Sequence, residues 1–199
     1  LHGVGGEDGS VQGLLDCLGV PYSGSGVLGS ALCMDKAKTK LVWRSAGLPK
    51  PAFEMIDSDS DLSSVIDRLG PVFVKPVSEG SSVGMSMASD ADSLKQALLL
   101  ASQSRVAIMA EAHINGDEFT VAIVSGKALP PIKITPASTF YDFDAKYVSG
   151  ETRFECPAPL SSSESEALQT LALKAFEVSG AKAWGRVDVM RDAESWQLL

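Results

Sequence analysis

Several residues in this chain are of types, and at spacings, that can handle a phosphate-rich ligand. Lys75 ends an apolar run and passes directly into Pro76-Val-Ser-Glu-Gly-Ser-Ser-Val-Gly84. Two glycines and three hydroxyl residues beside a lysine suit a loop that wraps phosphates with backbone N–H groups; the plainer reading is a solvated turn. In Gly185-Arg-Val-Asp-Val-Met190, strand alternation puts Arg186 and Asp188 on one face and Val187 and Val189 on the other. An arginine and a carboxylate side by side can hold an anion and a cation, or simply pair with each other at the surface. Glu111 and Glu118 flank the segment 112–117, where carboxylates can accept from a base amine and a ribose hydroxyl. Lys36 and Lys40 share a helix face, and Lys146-Tyr147 lie in a polar stretch. The chain has 17 Lys and Arg against 25 Asp and Glu, a net charge of −8, so an anionic ligand needs a few aimed cations. Lys36, Lys75 and Lys146 are the candidates, with magnesium beside them, because two unit charges 4 Å apart interact by about 4 kcal/mol at an effective dielectric of 20.

Elements must position these groups. Val11, Leu14, Leu15 and Leu18 recur at helical spacing after Ser10, which is placed to cap, and Gly19 and Pro21 end that helix. The pattern predicts a loop over Gly24–Gly29, one helix over Ala31–Ala46 and a strand over Pro71–Lys75. A second strand is expected near Met85–Ala88, then a helix capped by Ser89. Arg105–Glu111 and Glu118–Val124 read as strands, with Ser125-Gly-Lys127 a hairpin turn and Ala128–Thr135 pairing back. Thr139–Arg153 has no period and reads as a long loop. A helix over Ser163–Val178 and strands at Gly185–Met190 and around Trp196-Gln-Leu-Leu199 complete an α+β mixture. The 199 residues and 45% hydrophobic content are enough for a sizeable core. The negative charge argues against nucleic acid or an acidic membrane surface as partner, and no apolar run approaches the ~20 residues of a membrane span. Cys17, Cys33 and Cys156 are odd in number and widely spaced, which suits buried thiols in a reducing cytoplasm. The start at Leu1 and the end inside an apolar run read as the cut ends of a longer protein.

Three familiar motifs fail on context. Gly24-Ser-Gly-Val-Leu-Gly29 matches G-x-G-x-x-G, but Pro21 interrupts the strand that should precede it, and no acidic residue stands about 20 positions on. Gly80-Ser-Ser-Val-Gly84 matches G-x-S-x-G, yet a strand rather than a helix is expected next, so Ser82 is not read as a hydrolase nucleophile. No Gly-Lys-Ser/Thr phosphate loop occurs.

Taken in order, His2-Gly-x-x-Gly-Glu-Asp-Gly9, Pro21-Tyr-Ser-Gly-Ser-Gly26, Met34-Asp-Lys36, Lys75-Pro-x-x-Glu-Gly-Ser-Ser-Val-Gly84, Phe140-Tyr-Asp-Phe-Asp-Ala-Lys-Tyr147 and Gly185-Arg-Val-Asp-Val-Met190 resemble the D-alanine–D-alanine ligases. The resemblance implies an ATP-grasp fold of two α+β subdomains with nucleotide between them, preceded by the tail of an N-terminal α/β domain. The expected boundaries are 1–30, 31–111 and 112–199. It implies ATP with magnesium (or manganese), D-alanine as substrate, and D-alanyl-D-alanine made through an acyl phosphate for peptidoglycan. A cytoplasmic location and a homodimer go with it. By this likeness Lys36, Lys75 and Lys146 contact phosphates, Ser82 belongs to the phosphate loop, and Glu111 and Glu118 serve the adenine and ribose. Arg186 orients the substrate carboxylate, Asp188 is a magnesium ligand, and His2, Ser81 and Tyr147 surround the amino acids. Residues 139–153 resemble a loop that closes over the site. Phe143 and Asp144 stand where the family usually has Tyr and Glu, and Ala183 where glycine is common. The family's upstream substrate-binding glutamate, its further magnesium ligands and its serine-proline-glycine turn lie outside the sequence, so the isolated 199 residues are expected to be weak or inactive. Tyr147 favours the dipeptide ligase over D-Ala-D-Lac relatives. The competing readings are a D-Ala-D-Lac or other ATP-grasp carboxylate–amine ligase and a catalytically incomplete nucleotide-binding fragment.

Overall fold

The computed structural model describes residues 3–80, 84–136, 152–192 and 195–199. By its contacts the chain divides into two compact units. One comprises residues 1–50, 116–135 and 153–199, the other 51–115 and 136–152. No helix among the described residues is long and apolar enough to cross a membrane.

The unit containing residues 51–115 is a four-stranded antiparallel sheet in the order β1-β4-β2-β3, built from β1 (Phe53–Ile56), β2 (Val72–Pro76), β3 (Ser86–Ala88) and β4 (Ile108–Ala112). Two helices, α4 (Leu62–Leu69) and α5 (Ala91–Ala101), cover one face. There Val72, Val74, Ala88, Ile108 and Ala110 pack with Val65, Leu94, Ala97 and Ala101. Strand alternation sends Phe53, Met55, Phe73, Lys75, Met87, Met109 and Glu111 to the opposite face, where the register pairs Phe73 with Glu111 and Lys75 with Met109.

The other unit begins with α1 (Ser10–Leu18), α2 (Val27–Met34) and α3 (Lys36–Ser45). Its sheet runs β10-β9-β5-β7-β8 with β6 beside β5, using β5 (Asp117–Val124), β6 (Lys127–Ala128), β7 (Ile132–Thr135), β8 (Arg153–Glu155), β9 (Trp184–Arg191) and β10 (Trp196–Leu198). The long helix α6 (Ser162–Val178) lies on one face. Leu168, Ala172, Ala175 and Phe176 meet Phe119, Val121, Ile123, Val187, Val189 and Leu198 there, and Trp43 of α3 joins them. Trp43 Nε1 donates to Ala175 O at 3.2 Å and to Ser179 Oγ at 2.9 Å, so this aromatic is buried without an orphan donor.

Several expectations are corrected. The helix expected over 31–46 is two helices, α2 beginning earlier at Val27 and α3 at Lys36, because Asp35 leaves helical geometry and its carboxylate accepts from Lys38 N at 2.9 Å as the cap of α3. Gly9, in left-handed geometry, precedes α1, so Ser10 is its first residue rather than its cap. Asp90 rather than Ser89 caps α5. Strand β1 and helix α4 had no expected counterpart. The three cysteines are free as expected but exposed rather than buried, although the Cys33 thiol lies against Ser179 and partial burial pushes it up.

Candidate functional site

In the 51–115 unit the charged centre is an ion pair between neighbouring strands. Lys75 Nζ donates to Glu111 Oε1, and the two side chains are only 9% and 2% exposed. Both groups lie on the sheet face opposite α4 and α5 and are buried there. Phe73 stands directly across from Glu111, with the Lys75 ammonium 6.0 Å from its ring centroid. His113 meets Phe73 edge-on at 5.2 Å between ring centroids. An ammonium and a carboxylate held among Phe73, Met109 and Met87 present a donor and an acceptor on a largely apolar platform. That combination suits a flat heteroaromatic base at one end and an anion at the other. After Lys75 the chain is pinned by Val77 N donating to Ala107 O at 2.9 Å. It returns at Gly84, whose φ is +68° and where an added Cβ would stand 3.1 Å from Pro76 Cγ, leaving little room for a side chain. A strand follows, as the rejection of a nucleophile elbow requires. Ser81 and Ser82 lie outside the described residues.

In the other unit the register of β5 against β9 sets Glu118 opposite Met190, Thr120 opposite Asp188 and Ala122 opposite Arg186. Glu118, Arg186 and Asp188 therefore share the face that α6 does not cover. Arg186 NH2 donates to Asp188 Oδ2 at 2.8 Å, with side-chain exposures of 61% and 30%, so the anion and cation handles of the strand neutralise each other in this state. Thr120 Oγ1, buried at 5% exposure, donates to Asp188 Oδ1 at 2.7 Å. Leu199 N donates to Asp188 O at 3.0 Å, holding the backbone as well. Asp188 offers hard oxygen donors, and magnesium commonly takes one or two carboxylates and completes its shell with phosphates and waters. The residue fits that use. No cluster of three His, Cys, Asp or Glu able to cage a metal occurs among the described residues.

Lys36 opens α3 next to the capping Asp35. Lys40, one turn on, points the other way in function. It is 1% exposed and donates to Leu198 O at 3.2 Å, tying α3 to β10. Glu111 and Glu118, seven positions apart, do not flank a hairpin. β4 pairs with β1 and β2 while β5 pairs with β9 and β7, and the two carboxylates sit in different sheets. His2, Lys146 and Tyr147 fall outside the described residues, as does most of the expected closing loop at 139–153. The sequence reading missed Thr120, whose signal is its place two residues after Glu118 on an alternating strand. It also missed Phe73 and His113, which only the sheet register brings together.

A sequence profile for the D-ala D-ala ligase C-terminus matches residues 42–199. A D-alanine–D-alanine ligase from Alcanivorax borkumensis is 49% identical over all of this chain and 64% of its own length, and one from Stutzerimonas stutzeri is 49% identical over 98% of this chain and 62% of its own. The chain thus spans just under two thirds of these relatives. The crystal structure of D-alanine–D-alanine ligase from Bacillus anthracis superposes on all of the chain with a TM-score of 0.87 at 37% identity, covering 66% of that protein. A second structure of the Bacillus anthracis ligase, complexed with ATP, gives 0.85 at 33% identity and 64%. The α+β architecture is that of ATP-grasp ligases, and the chain belongs to the D-alanine–D-alanine ligase family.

Proposed function

We propose that the full-length protein joins two D-alanines into D-alanyl-D-alanine at the expense of ATP, as a carbon–nitrogen ligase of peptidoglycan precursor synthesis. The observation that carries this reading is the division of labour between sheet faces. Each unit covers one face with helices and loads the other with charge, Lys75 and Glu111 in one, Glu118, Arg186 and Asp188 in the other. In the reading, Glu111 accepts from the adenine amine, Glu118 from ribose hydroxyls, and Lys36, Lys75, Lys146 and the backbone at Ser82 take the phosphates. A carboxylate repels the phosphate that must reach it, so cationic side chains are needed to screen the approach and the charge that develops. The γ-phosphoryl group passes to one D-alanine carboxylate as ADP leaves. The amine of the second D-alanine then attacks that carbonyl, phosphate departs, and Arg186 steadies the oxyanion. His2, Ser81 and Tyr147 are assigned to the two amino acids. Magnesium, or manganese in its place, supplies additional positive charge at the phosphates when bound, with Asp188 as its ligand from this strand. The first 30 residues are read as the end of a substrate-side domain, and a cytoplasmic homodimer is the expected form.

The test is ADP release from ATP and magnesium by the full-length protein with and without D-alanine. Strong stimulation by D-alanine alone, abolished in Lys75→Ala, is the expected result. Stimulation that appears only when D-lactate accompanies D-alanine would move the assignment to depsipeptide synthesis. No response to either would leave a nucleotide-binding protein without this ligase chemistry.

A further inference from the structure

We propose that Thr120 is a positioning residue that holds the Asp188 carboxylate in its metal-binding orientation. The inference rests on the reading of Asp188 as a magnesium ligand. The two residues are direct partners across β5 and β9. Thr120 Oγ1 is 2.7 Å from Asp188 Oδ1 and 3.5 Å from Val187 O. An ionised carboxylate only accepts, so the hydroxyl is the donor, and its direction is set by the bond. A β-branched side chain in a strand has little rotamer freedom, and Thr120 is buried at 5% exposure. Arg186 grips the other oxygen, Oδ2, from the same strand at 2.8 Å, but its side chain is 61% exposed. The two contacts therefore differ in kind. Arg186 can swing off toward an arriving anion, whereas Thr120 keeps hold of Oδ1 through that exchange. Each carboxylate oxygen has two lone-pair sites, so the bond from Thr120 occupies one on Oδ1 and leaves the rest of the carboxylate available. Partners of this kind, which touch a ligand rather than the metal, change metal affinity by roughly 10- to 100-fold when removed.

The experiment is a titration of the full-length protein with Mn2+ in the presence of a non-hydrolysable ATP analogue, read by the electron paramagnetic resonance signal of free Mn2+. Thr120→Val keeps the shape and deletes the hydroxyl, and is expected to weaken Mn2+ binding by roughly 10- to 100-fold. Thr120→Ser, which keeps the hydroxyl, should bind within a few-fold of the parent. Asp188→Asn should weaken binding at least as much as Thr120→Val, and the double variant should be no weaker than Asp188→Asn, because Thr120 acts through Asp188. Thr120→Val binding Mn2+ like the parent while Asp188→Asn is weakened would overturn the role of Thr120 and leave Asp188 as a ligand. Unchanged binding in Asp188→Asn would remove the ligand assignment itself, and the proposal with it. Should Thr120→Val fail to fold, Thr120→Ala against Thr120→Ser makes the same comparison.

Discussion

Ion pairs in this molecule differ in what surrounds them, and that sets their energetic weight. Arg68 holds Glu54 through two bonds of 2.7 Å, but the side chains are 55% and 30% exposed, and such pairs contribute about 0.2–1 kcal/mol. Lys75 and Glu111 are nearly sealed from water. Taking both charges out of water opposes their attraction, so the intact pair adds little net stability, while removal of one partner leaves a buried charge without its counterion. Lys75→Met is expected to destabilise the fold by about 3–5 kcal/mol, and Lys75→Met/Glu111→Gln by clearly less. Denaturant midpoints at constant m check this. A double variant as unstable as Lys75→Met would mean that charge burial is not the cause. A buried pair that stabilises so little is better explained by its place in the candidate site than by the fold it sits in.

Among the elements, α6 carries the most explicit start signal. Ser161 accepts from Glu164 N, and Glu164 Oε2 accepts from Ser161 N at 2.9 Å, forming a reciprocal capping box. Glu164 also accepts from Arg191 of β9 at 2.5 Å, which locks the helix start to the sheet. The Ser161 hydroxyl and amide, and then Arg191, hold the Glu164 carboxyl down at about 2. The group is thus lower in the folded than in the unfolded chain, so its contribution is complete above its ordinary value of 4.5 and disappears as pH falls toward about 2. Glu164→Gln should flatten the stability–pH curve across that window, and acid titrations monitored by circular dichroism would show it. Equal slopes in parent and variant would contradict the coupling. Ser161→Ala should cost about 1 kcal/mol of stability at neutral pH.

Distant parts of the chain meet at a few backbone-to-backbone approaches that tolerate no side chain. A Cβ on Gly116, at the entry to β5, would stand 1.7 Å from Arg191 O at the end of β9, and one on Gly29 of α2 would stand 2.5 Å from Gly180 O after α6. Both clashes are with backbone, which cannot swing aside as a side-chain tip can. Gly116→Ala is expected to destabilise by at least the about 1–3 kcal/mol of an overpacked core. Gly47→Ala, at φ +71° in open space, should show only the about 1–2 kcal/mol of left-handed strain. Thermal melts of the two variants compare these directly, and equal losses would show that the Gly116 approach relaxes freely. Lys40 adds a further long-range tie, its buried ammonium donating to Leu198 O across 158 positions of sequence.

Much of this was written locally in the sequence. Period-2 alternation in Phe119–Ile123 and Gly185–Met190 settles which residues face the core because a strand has only two faces. The same alternation puts Arg186 beside Asp188. The helix of Ser163–Val178 and the strand–loop–strand after Lys75 were equally legible, since their signals lie within a few residues of where they act. Asp35 breaking one helix into two was harder to see, because a cap competes with helical spacing that continues on both sides of it. Strand β1 and helix α4 are short, four and eight residues, although α4 is amphipathic and carries an Asp61 cap that accepts from Ser64 N at 3.2 Å. What only the tertiary structure decided is pairing. That Lys75 meets Glu111, that Thr120 meets Asp188, and that Glu111 and Glu118 part into different sheets all follow from strand order and register. Those are set by the cooperative burial of whole faces, a property of the folded chain that no single segment carries.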